Sequence, residues 1–170
     1  MLFYTLLIFL IGCDLVDPKA GTSLQQIKCS TDTINQPTTL IVCDIVAIFD
    51  LTLADKFKKM KALDYFKEIE NIHSLNNNFL CVWRFEQLPQ QSKIIKLEMA
   101  KSVCKPHLVM LFADYRSKGE HSAVIPRNIK QLDVIFGLDK ISKINYQTNI
   151  KGKPTYKLYP CSKLDNMNLS

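Results

Sequence analysis

Apolar and polar positions follow three different patterns along this chain. Residues 1–11 are uncharged and almost wholly apolar, and the first charge appears at Asp14. Wound as a helix, that run spans about 16 Å, against roughly 30 Å of bilayer hydrocarbon. It is too short to cross a membrane and has the length of a secretory leader's hydrophobic region. Residues 1–13 are therefore read as a signal peptide rather than a transmembrane segment. The rest of the chain is read as a secreted, extracellular domain.

The second pattern is a stripe recurring every three or four residues: Val42, Ile45, Val46, Phe49, Leu53, Phe57, Met60, Leu63, Phe66 and Ile69. Most of the intervening charges, Asp55, Lys56, Lys58, Lys59, Lys61 and Lys67, fall off that stripe. The spacing predicts one long amphipathic helix, or two in sequence with a bend near residues 50–55. Thr38-Thr39 offers an N-cap before it. Further helices are expected through Phe79 to Phe85, from about Gln90 to Val103, from His107 to Tyr115, and from Pro126 to Gly137.

The third pattern is local alternation. Residues 14–37 are polar and rich in turn residues, and are expected to lie as an extended segment on the surface. In residues 144–170, Ile144 to Thr148 and Thr155 to Tyr159 are β-prone and flank Lys151-Gly152-Lys153-Pro154. They read either as a hairpin or as an extended tail. The expected fold is thus mainly α: a disulfide-stapled bundle of four to five helices over residues 38–143, with a short C-terminal hairpin as the alternative to an open tail.

Composition changes this picture in two places. The net charge is +6, but the chain has only three arginines, Arg84, Arg116 and Arg127. Nucleic-acid readers rely on bidentate arginine contacts, so that partner class is set aside. Five cysteines lie beyond the leader, Cys29, Cys43, Cys81, Cys104 and Cys161, with no C-x-x-C pair to suggest zinc or thiol redox chemistry. In an oxidising compartment they read as disulfide staples. The odd count leaves Cys13, a free thiol or a bond to a second chain to complete it. Leu10-Ile11-Gly12-Cys13 also resembles a bacterial lipobox, in which Cys13 would be the lipidated first residue.

Catalytic material is sparse. The histidines are His73, His107 and His121, and neither G-x-S-x-G nor H-E-x-x-H occurs. His121-Ser122 beside Glu120 invites a triad reading, but neighbouring residues rarely aim a base at a nucleophile. The Asp64/Glu68 pair shares a helix face with lysines around it and reads as a solvated surface. No catalytic residue, metal ligand or cofactor site is therefore assigned. Two binding surfaces stand out. Lys56, Lys58, Lys59 and Lys61 could meet an acidic protein surface or an anionic glycan. Phe79, Trp83, Met99 and Met110 could line a cavity for an apolar small molecule or lipid.

The helical spacers between Cys43, Cys81 and Cys104, including CDIVAIFDLTLADKFKKMKALDYF, resemble the small secreted, cysteine-containing nematode proteins grouped under a domain of unknown function. The resemblance covers residues 25–136. It implies a helical, disulfide-linked extracellular protein and supplies no catalytic residues. The functional expectation is a non-catalytic extracellular binding protein, with an apolar-ligand carrier as the alternative.

Overall fold

In a computed structural model, residues 24–76, 78–97, 106–117 and 119–158 are described. Among them β1 (Gln26–Thr31) and β2 (Ile41–Ile48) precede two helices, α1 (Leu51–Lys58) and α2 (Ala62–Asn76). Next come β3 (Leu80–Gln87), β4 (Lys93–Leu97), β5 (Leu108–Ala113), β6 (Ser122–Val124), β7 (Gln131–Phe136), β8 (Ile141–Gln147) and β9 (Tyr156–Leu158). The strands form a five-stranded sheet of order β8-β7-β1-β4-β9 and a four-stranded sheet of order β3-β2-β5-β6. β1 runs parallel to β7 and antiparallel to β4, and β9 runs parallel to β4.

The expected all-helical bundle is therefore wrong: the molecule is a β-sandwich with a two-helix cover. The inner faces of the two sheets enclose one core, with Ile27, Cys29, Ile95, Leu132, Val134 and Phe136 meeting Cys43, Ile45, Ala47, Trp83, Phe85 and Leu111. A second core lies on the opposite face of the four-stranded sheet. There Val46, Ile48, Val82, Met110 and Phe112 meet Ala54, Phe57, Tyr65, Ile69 and Ile72 of the helices.

This three-layer arrangement explains the error. β2 and β5 are covered on both faces, by the other sheet and by the helices, so neither alternates polar with apolar. Apart from Asp44, Ile41 to Ile48 and Leu108 to Ala113 read as apolar runs, which any three-or-four spacing can thread. In β2, where five of eight residues are Ile or Val, β-branched content was the better guide. The stripe is truly helical only from Leu53 onward. Asp50 caps α1 by accepting from the Leu53 amide at 2.7 Å, and Lys56 and Lys58 occupy its last turn, where they complement the dipole.

The two β-prone tail segments are strands, but they do not pair with each other. β8 pairs with β7 at one edge of the five-stranded sheet, and β9 pairs with β4 at the other. Residues 14–37, expected on the surface, include β1, the central strand of that sheet. The expected disulfide framework is also corrected. Cys29 and Cys43 are free thiols buried in the inter-sheet core, and no disulfide joins them to each other or to Cys81. Cys104, Cys161 and Met99 lie outside the described residues, as does the leader. No helix among the described residues is long and apolar enough to cross a membrane.

Candidate functional site

Strand direction collects four connections at one end of the sandwich. β1 finishes at Thr31 beside Phe136 of β7, and β2 begins at Ile41 opposite Gln87 of β3. β5 finishes at Ala113 opposite Cys43. The β1–β2, β3–β4, β5–β6 and β7–β8 connections therefore share this end. Three of them carry large apolar side chains turned to solvent: Ile34 is 86% exposed, Leu40 41%, Leu88 40% and Leu138 52%. Leu40 and Leu138 border a cleft of about 240 Å³ whose wall also includes Thr39, Asp114, Tyr115, Arg116 and Ser117.

Hydrogen bonds lace these loops to one another. The Asp32 amide donates to the Phe136 carbonyl at 2.8 Å, joining the β1–β2 loop to the end of β7. The Asp32 carboxylate accepts from the amides of Ile34 at 2.9 Å and Asn35 at 3.3 Å, and those bonds hold its pKa below the ordinary value. Tyr115 donates its hydroxyl to the Lys140 carbonyl at 2.9 Å and to that of Gly137 at 3.3 Å. Burial raises the Tyr115 pKa, so the phenol stays a donor. Ser117 donates to the Asp139 carbonyl at 2.6 Å. At Gly137 an added Cβ would stand 2.2 Å from the Ser142 hydroxyl oxygen and 3.1 Å from the Lys140 carbonyl oxygen, so a larger residue would force Ser142 to turn away.

The histidines hold structural positions. His121 is buried, and its Nε2 faces the Ser117 carbonyl oxygen at 3.0 Å. A carbonyl only accepts, so Nε2 carries the proton, which leaves the buried Nδ1 without a donor. The neighbouring Ser117 hydroxyl lies 3.5 Å away and spends its own proton on Asp139. The pair braces a loop, and among the described residues no carboxylate bonds to the ring. His73 sits in the last turn of α2, where burial lowers its pKa and leaves it neutral instead of a cation for the helix dipole. Among the described residues no group of three or more His, Cys, Asp or Glu is placed to hold a metal.

The lysines proposed from sequence are exposed at the end of α1 and in the turn before α2, where Lys58 pairs with Asp55 at 3.4 Å. The proposed cavity residues do not converge. Trp83 packs between the sheets, Met110 packs under the helices, and Phe79 is 49% exposed. The loop residues were missed in the sequence. Their signal was an isolated Ile or Leu inside a polar, turn-rich connection, as at Ile34 between Asp32 and Asn35.

We find no matching family model and no matching curated protein. Among solved structures, the fold is similar to the crystal structure of the T6SS lipoprotein TssJ1 from Pseudomonas aeruginosa, with a TM-score of 0.53 at 17% identity. The match covers 76% of this chain and 99% of that one, so the likeness extends over the neighbour's whole length and is one of fold.

Proposed function

We propose that this chain is a non-catalytic interaction protein of the cell envelope or the extracellular space, and that its loop end grips a protein partner. One observation carries the reading. Three separate loops expose four large apolar side chains, Ile34, Leu40, Leu88 and Leu138, at the same end of the sandwich. Solvated turns gain nothing from such side chains, whereas an interface uses them as anchors. The hydrogen bonds between loops fix the surface beforehand, which lowers the ordering cost of association. Asp114 and Arg116 add one charge of each sign beside the cleft and supply register for a partner of mixed charge.

The envelope placement is supported by the apolar leader and by the likeness of fold to a protein named as a lipoprotein. In that setting the Leu10-Ile11-Gly12-Cys13 sequence gains weight, with Cys13 as the lipidated residue. The cleft, at about 240 Å³, is below the roughly 300–1,000 Å³ typical of small-molecule sites, which favours a protein over an apolar ligand.

Photo-crosslinking in the cells that make the protein tests this. A photoreactive residue placed at Ile34, Leu40 or Leu138 is expected to capture one and the same partner, while Glu70 on α2 captures none. Substituting Ile34→Asp with Leu138→Asp should abolish capture from position 40 and leave the melting temperature within a few degrees of the parent. Equal capture from Glu70, or undiminished capture by the double variant, would sink the proposal.

A further inference from the structure

The two sheets differ in what covers their outer faces. Helices roof the four-stranded sheet, while among the described residues it is the loop 148–155 that crosses the outer face of the five-stranded sheet, where Lys151 bonds to Gln26 and Gln131. Because Ile27, Cys29, Leu132 and Val134 point into the core, their strand neighbours point out. The register places Lys28 opposite Asp133 and Ile94, Lys96 opposite Gln26 and Lys157, and Lys143 opposite Ile135. Lys28, Lys96, Lys143 and Lys157 thus share one face, and the loop crossing it adds Lys151 and Lys153. Among the described strand residues the acid on that face is Asp133, and its carboxylate accepts from the Gln131 side-chain amide. Lys28, Lys143 and Lys157 enter no ion pair among the described residues.

We infer that this outer face is a docking surface for acidic phospholipid headgroups, on which the molecule lies against a membrane. The argument is charge complementarity joined to shape. A broad sheet face offers no groove for a nucleic-acid backbone, and its cations are lysines, point charges suited to headgroup phosphates. Apolar side chains are interleaved at the same surface. Ile94 and Ile135 are half-buried there, and Ile150, in the loop crossing it, is 45% exposed. That mixture suits the headgroup boundary better than bulk water. The tether agrees: residues 14–23 reach at most about 35 Å when extended, and they lead into β1, the central strand of this sheet. A lipid or leader held in the bilayer at Cys13 would keep the start of β1 within that distance of the surface, close enough for this face to reach it. The surface is separate from the loop end, so both can be occupied together.

The full chain is mixed with vesicles of phosphatidylcholine alone, or with about one third phosphatidylglycerol, and retention is measured by sedimentation at low and high salt. The leader contributes equally to every variant, so the preference for acidic vesicles is the readout. The parent is expected to prefer acidic vesicles, less so at high salt. Lys28→Gln, Lys143→Gln and Lys157→Gln together should weaken that preference about 100-fold, at roughly fivefold per lysine. Reversal of Lys56, Lys58, Lys59 and Lys61 on the helices should leave it in place. Equal retention on both compositions overturns the inference. So does loss of the preference in the helix variant alone, or capture of an acidic protein or nucleic acid by this face without vesicle binding.

Discussion

Asp44 is fully buried in β2, yet it carries a charge into the interface between sheet and helices. Both of its oxygens are used: Oδ1 accepts from Arg84 Nε at 2.8 Å, and Oδ2 accepts from Arg84 Nη2 and from the Tyr65 hydroxyl, each at 2.8 Å. Tyr65 meanwhile stacks on Phe112 with ring centroids 4.1 Å apart, so one side chain of α2 is fixed by an ion pair on one side and a ring on the other. The hydrogen bond to Asp44 raises the Arg84 pKa and keeps that cation charged at any working pH. Asp44→Ala should cost about 3–5 kcal/mol in urea unfolding, because it strands a partly buried guanidinium. Asp44→Leu with Arg84→Met should recover most of that loss, which would show that the pair orients α2 more than it stabilises the fold. The buried thiols behave in the opposite way and avoid charge altogether. Desolvation pushes the Cys29 pKa up to about 12 and that of Cys43 well above its ordinary value. Both should resist alkylation in the native protein at pH 8 and react fully in denaturant, as read from the mass of each cysteine peptide.

Single elements were legible where one face met water. α1 and α2 were visible because Leu53, Phe57, Leu63, Phe66 and Ile69 recur among lysines and acids, although Leu63 is 53% exposed and the buried face of α2 is carried by Tyr65, Ile69 and Ile72. The Asp50 cap marks where β2 stops and α1 starts, and Asp50→Ala should cost about 1 kcal/mol by thermal unfolding. β7 was legible too and was misread: Leu132, Val134 and Phe136 alternate with Gln131, Asp133 and Ile135, a period of two. β2 and β5 were not, since two-sided burial removes the alternation that identifies a strand. The candidate site was harder still. Its members, Ile34, Leu40, Leu88 and Leu138, are spread over more than one hundred positions and meet only through strand direction.

At the scale of the whole molecule, no local pattern announced which strands would be neighbours. Both parallel pairings join distant segments, Gln26 with Gln131 and Ile95 with Tyr156. Buried amides reinforce the first: Gln26 donates to Gln131 at 3.1 Å, and Gln131 in turn accepts from the Lys151 amide at 2.7 Å. The central strand is made first and completed last. While the chain is being synthesised, β1 has no parallel neighbour until residue 136 has emerged, and the bonds that seal that neighbour wait for residue 151. Contacts of such long separation form slowly, since the loop between them must be closed first. In the envelope or extracellular placement proposed above, the chain must stay unfolded long enough to be threaded through a membrane. Here that delay is written into strand order: the five-stranded sheet cannot close before nearly the whole polypeptide is available.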